Sequence, residues 1–259
     1  MLGQNDVQAD PWFRTVRPCR NPRVRLVCFP HAGGSANFFR PWAELMPAGV
    51  ELLAVRYPGR EDRLIEPFAK TMNELVDPVV RSCSRLLDTP LAFFGHSMGA
   101  SVAYEAALRL QAEHGAPVSA LLVSGRSGPG REHVRPMSGA SDLALFEDLA
   151  RLGGTDSSTF DDPELRELVL SALRADYELV EGYTATQAGA GVNAPITAYY
   201  GTQDSELDAD SVAAWAAVSG PEFSARPFDG GHFYLLDHAR ALVDDLLTRL
   251  GNFSENIPA

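Results

Sequence analysis

A chain of 259 residues, 45% of them hydrophobic and 22% charged, can bury a substantial core, and this composition excludes a disordered ground state. No apolar run reaches the roughly 20 residues of a membrane-spanning helix, and the opening MLGQNDVQADPWF lacks the apolar stretch of a secretory signal, so a cytoplasmic protein is expected. A formal net charge of -12 opposes nucleic-acid binding, because a phosphate backbone would repel it.

In chain order, the strand candidates are VRLVCF (24 to 29), ELLAVRY (51 to 57), LAFFG (91 to 95), SALLVSG (119 to 125), PITAYYG (195 to 201) and EFSARPF (222 to 228). Each is a short β-rich run bounded by Pro, Gly or a polar turn. Helical patterns lie between them, at 38 to 46, 71 to 88, 98 to 114, 208 to 218 and 237 to 250. Strands separated by helices imply right-handed crossovers, and so an α/β fold with a mainly parallel sheet covered on both faces. The whole chain, 1 to 259, reads as one domain.

One connection is too long for that scheme. Seventy residues separate Gly125 from Pro195, whereas such connections usually add about 2 to 6 residues to their helix. SDLALFEDLARL (141 to 152) and DPELRELVLSALRADYELVEGY (162 to 183) read as amphipathic helices within it, the second opened by Asp162 with Pro163 in the first helical position. Residues 126 to 193 are therefore expected to form a helical lid over the end of the sheet. The first ten residues and the tail GNFSENIPA read as loose. Cys19, Cys28 and Cys83 are an odd count without metal-ligand spacing, as expected of reduced structural thiols.

The sequence GHSMG, Gly95 to Gly99, closes the LAFF strand and opens the next helix. In that setting small residues on both sides of a serine permit a strained turn that lifts its hydroxyl above the sheet, which makes Ser97 a nucleophile candidate. A serine hydroxyl needs a base and an orienting acid, and in this order of elements they follow the serine as acid and then His. Among the six histidines, His31 and His96 lie in backbone motifs, His114 ends a helix, His133 lies in the insertion and His238 in the last helix. His232 alone follows a strand within a glycine-rich loop, FDGGHF, and is the expected base. The loop RSGPGR after the fourth strand candidate holds no acid, while TQDSELD after the fifth offers Asp204, with Glu206 and Asp208 as alternatives nearer the next helix. Two backbone donors for an oxyanion are expected from Met98, after the nucleophile, and from Ala32 in the glycine-rich turn FPHAGGSANFF.

Together, CFPHAGGSANFFRPW, AVRYPGREDR, FFGHSMGASVAYE, LLVSGR, RADYELVEGY, YYGTQD and GGHFYLLD resemble the type II thioesterases, the free-standing editing enzymes of modular polyketide and nonribosomal peptide synthases. The resemblance spans nearly all of residues 12 to 250. It implies the α/β-hydrolase fold, with Ser97, Asp204 and His232 as the triad and Ala32 and Met98 as the oxyanion hole. It also implies a substrate, an acyl thioester on the phosphopantetheine arm of an acyl or peptidyl carrier protein domain. No metal or bound cofactor is called for, because the pantetheine belongs to the substrate. Arg56, Arg60 and Arg63 are candidates for a basic patch that would steer an acidic carrier domain. The rival readings are a carboxylesterase, lipase or peptidase of the same fold, an acyltransferase, and a carrier-binding protein without chemistry.

Overall fold

The computed structural model describes residues 10–115, 118–132, 135–153, 162–185, 191–220 and 222–251. His133 and most of the two termini lie outside them. Seven strands form one sheet: β1 (Phe13–Arg17), β2 (Val24–Phe29), β3 (Val50–Val55), β4 (Leu91–His96), β5 (Val118–Ser124), β6 (Ile196–Gly201) and β7 (Phe223–Phe228), in the order β1-β3-β2-β4-β5-β6-β7. Every pairing is parallel except that of β1 with β3, which is antiparallel.

The strands are apolar on both faces, as a sheet covered on both sides requires. Along β2, β3 and β4 the side chains alternate. Val27, Phe29, Leu53, Val55, Leu91 and Phe93 enter one core, and Leu26, Cys28, Leu52, Ala54, Ala92 and Phe94 enter the other. The first core is closed by helices α1 (Met72–Cys83) and α2 (Met98–His114). The second is closed by the 3-10 segment Ala36–Leu45 and by the C-terminal helix Ala239–Gly251.

β1 was not among the expected strands. Its alternation is masked by Arg14 and Arg17, and only Phe13 is buried, a pattern suited to a charged edge strand. β7 is the opposite edge, largely exposed, and tolerates Pro227 because an edge leaves one side of the backbone unpaired. Three expected helices differ in detail. Residues 36–45 form a 3-10 helix interrupted in sequence by Pro41, the α1 pattern tightens to 3-10 after Cys83, and residues 208–218 split into a short α-helix, Ala209–Ala213, and a 3-10 turn, Ala214–Val218.

Between β5 and β6 lie α3 (Asp142–Leu152) and α4 (Pro163–Glu181). Asp162 caps α4 by accepting from the amides of Glu164 and Leu165, and Pro163 fills the first-turn position where no donor is needed. Leu145 and Leu149 of α3 pack on Leu170 and Leu173 of α4 in a third, smaller cluster that also touches Ala32. All three cysteines are free.

Candidate active site

β4 ends at His96 and α2 begins at Met98, so Ser97 makes the whole turn between strand and helix. Its backbone sits at φ 54°, ψ -121°, a region costing a residue with a Cβ about 1–3 kcal/mol. The glycines on either side are dictated by space. A Cβ on Gly95 would lie 2.2 Å from the Gly99 carbonyl oxygen, and one on Gly99 would lie 2.1 Å from that of Phe29. Ser97 is tied down by its own amide, which donates to the Ser124 carbonyl at 2.8 Å.

His232 follows β7, and Asp204 follows β6 beside it in the sheet. The His232 Nδ1–H donates to Asp204 Oδ2 at 2.7 Å, and the Glu206 amide donates to Asp204 Oδ1 at 3.0 Å, so both carboxylate oxygens are held. The Asp204 side chain has no exposed surface. With Nδ1 engaged, Nε2 of His232 is the nitrogen left for proton transfer. The alternative acids do other work: Glu206 pairs with Arg151, and Asp208 caps the helix Ala209–Ala213 through a reciprocal bond with Ser211. His238, expected in the last helix, instead ends the short turn Tyr234–Asp237.

Ala32, Ser97, Met98 and His232 line one cleft, open to solvent, which α3 covers with Leu149 and Leu152 and α4 with Leu173 and Tyr177. Among the described residues the Ala32 amide has no acceptor. The Met98 amide is the first of its helix and has no intrahelical partner.

Two histidines set aside on sequence, His31 and His96, lie near His232. The His96 ring lies 4.9 Å from that of His232, centroid to centroid, tilted by 44°; its Nδ1 is bonded to Ser124 Oγ, which in turn meets the Tyr234 hydroxyl at 2.7 Å. His31 is edge-on to Phe38 and Phe233, and its Nδ1 is buried without a partner among the described residues. Burial first, then the nearby positive charges of His232 and Arg60, lower the His31 pKa to about 3. Burial also holds His96 well below the usual range. Both rings are therefore neutral in the fold. Arg126, in the same cleft, has Nε and Nη2 buried without partners among the described residues, and burial lowers its pKa.

The arginines read as a basic patch are not one. Arg60 is 9% exposed and grips Asp176 of α4 with two hydrogen bonds. Arg63 is buried, lies over the Trp12 ring and pairs with Glu66, and Arg56 pairs with Asp62. Their charges are spent within the molecule, which sequence spacing had no means of showing.

Residues 24–250 match the thioesterase domain family. The thioesterase PikA5 of Streptomyces venezuelae is 40% identical over 246 residues, covering 95% of this chain and 87% of that protein. The gramicidin S biosynthesis protein GrsT of Aneurinibacillus migulanus is 29% identical over 249 residues, 94% of this chain and 95% of that one. The solved structure of BorB, the type II thioesterase from the borrelidin biosynthetic cluster, has a TM-score of 0.84 at 36% identity, covering 92% of this chain and 97% of that one. The chain belongs to the thioesterase domain family, and it is a type II thioesterase, an enzyme of thioester hydrolysis on the α/β-hydrolase fold.

Proposed function

We propose that Ser97 is the nucleophile, His232 the general base and Asp204 its orienting acid, and that the substrate is an acyl group carried as a thioester on the phosphopantetheine arm of an acyl or peptidyl carrier protein domain. The observation that carries this reading is the 2.7 Å bond from Asp204 to His232 Nδ1 in the cleft that holds Ser97. His232 Nε2 takes the Ser97 proton as Oγ attacks the thioester carbon. Charge collects on the carbonyl oxygen, where the amides of Ala32 and Met98 stabilise it.

The carbon–sulfur bond then breaks. A thiol with a pKa near 8.5 is a good leaving group, so the imidazolium has little to do in expelling it. The imidazolium gives its proton to the departing sulfur, which leaves as the pantetheine thiol. His232, neutral again, takes a proton from water as the water oxygen attacks the acyl-Ser97 ester. It passes that proton to Ser97 Oγ as the Ser97–acyl bond breaks and the free acid is released. Asp204 stabilises the imidazolium in both halves without taking the proton itself. Every step uses groups of this chain and water, so the reading needs no metal and no bound cofactor. The pantetheine arrives and leaves with the carrier. One relative is a gramicidin S biosynthesis protein and one solved structure is a type II thioesterase from the borrelidin biosynthetic cluster, which supports removal of stalled or aberrant acyl units from a polyketide or nonribosomal peptide synthase as the role.

Turnover of acyl-pantetheine thioesters against matched oxygen esters separates this reading from an esterase of the same fold. A higher kcat/KM on the thioesters is expected, and a clear preference for the oxygen esters would refute it.

A further inference from the structure

The loop that presents Ala32 is held by backbone groups on both sides of it. The Pro30 carbonyl accepts from the Tyr57 hydroxyl at 3.1 Å. The Gly33 amide donates to Asp176 Oδ2 at 2.7 Å, across 143 residues of sequence, and the Gly34 carbonyl accepts from Arg60 Nη1 at 3.0 Å. Arg60 and Asp176 are joined to each other by bonds of 2.7 and 2.8 Å, and both are buried. Burial opposes the Arg60 charge, yet Asp176 outweighs it and raises the Arg60 pKa.

Asp176 stands on α4, the inserted helix that covers the cleft, and α4 also lays Leu173 against Gly33. We infer that Asp176 and Arg60 are positioning residues that couple the seating of α4 to the aim of the Ala32 amide, so that the oxyanion hole is complete only while α4 is docked on the loop. This rests on the reading of Ala32 as an oxyanion donor.

Stability alone does not account for the pair. A buried ion pair is often no more stabilising than apolar residues of the same volume. What this pair adds is direction: Asp176 holds the N–H of Gly33, immediately after Ala32, and Arg60 holds the C=O of Gly34. Leu173 and Tyr177 of α4 line the cleft beside Ser97, so an acyl chain that fills the cleft and seats the helix would also sharpen the hole, and one that lifts the helix would slacken it. The effect falls on the transition state, where the oxyanion exists, and not on ground-state binding.

The test is steady-state kinetics of Asp176→Asn on an acyl-pantetheine thioester, with binding of an alkyl boronic acid, which forms a tetrahedral adduct on Ser97, as a second readout. The expectation is a kcat lowered about 10- to 100-fold with KM within about twofold, and boronate affinity weakened by the same factor as kcat. Because Asp176→Asn leaves Arg60 buried without its partner, the double variant Asp176→Leu/Arg60→Met is measured beside it. It removes both charges and keeps an apolar contact, and it is expected to unfold at the wild-type temperature while remaining slow. A double variant with native stability and wild-type kcat would overturn the inference, as would a loss confined to KM. Ser97→Ala tests the underlying reading separately: turnover that survives it would sink the catalytic assignment, whatever the clamp variants do.

Discussion

Ser97 occupies a backbone conformation that only its surroundings can enforce, and those surroundings are two glycines with no room for a methyl group. Gly99→Ala would place a carbon against the Phe29 carbonyl, so the elbow must move or the strand must. A loss of about 1–3 kcal/mol or more is expected, read as a lower urea midpoint, together with loss of turnover. A variant with native stability would show that the turn is not space-limited. The histidines make a second prediction at this scale. The His31 pKa in the fold, about 3, lies below its ordinary 6.5, so the unfolded chain binds the proton first as the solution acidifies. The contribution of neutral His31 is therefore complete above pH 6.5 and is lost as pH falls toward 3, at up to about 1.4 kcal/mol per pH unit. His31→Gln is expected to lose less stability than the wild type between pH 7 and pH 5 in urea titrations, and parallel pH profiles would contradict it. The places of Ser97, Asp204 and His232 just after strands were legible in the sequence because a tight turn and two loops announce themselves locally, and the structure joins Asp204 to His232 there. The state of His31 and His96 could not, since it depends on rings and chains gathered from distant segments.

The inserted helices supply the apolar wall of the cleft, while turns at the ends of the strands supply Ser97 and His232. Their caps were legible: Asp162-Pro163 marks the start of α4, and the structure begins the helix there. What the helices touch was not legible, since Asp176 and Arg60 are 116 residues apart and each alone reads as a surface charge. β1 was missed for a related reason, as an edge strand needs only one buried side chain and can hide its alternation under arginines. Arg126 gives a prediction at this scale. Its Nε and Nη2 are buried without partners among the described residues, a cost that a fold tolerates and an apolar replacement removes. Arg126→Met is expected to raise stability by about 1 kcal/mol or more, measured as a higher urea midpoint, and a lower midpoint would show that the guanidinium is compensated in the fold.

At the scale of the whole molecule, alternation of strands with helices was enough to foresee a parallel sheet with both faces covered, because parallel strands cannot be joined in any shorter way. The same regularity made the seventy-residue interruption visible as an insertion. Charge was less informative: a net -12 describes the surface as a whole, while the arginines that looked available for a partner are bound to Asp62, Asp176 and Glu66. Docking of an acidic carrier domain through Arg60 is therefore not part of the account. What remains central is that the acyl group passes through Ser97. Mass spectrometry of enzyme quenched within milliseconds of mixing with an acyl-pantetheine thioester tests this most directly. The account predicts the mass of the acyl group on the peptide carrying Ser97, accumulating further when Asp204→Asn slows release, and no adduct in Ser97→Ala. Thioester turnover with no acyl group on Ser97 at any time would contradict it.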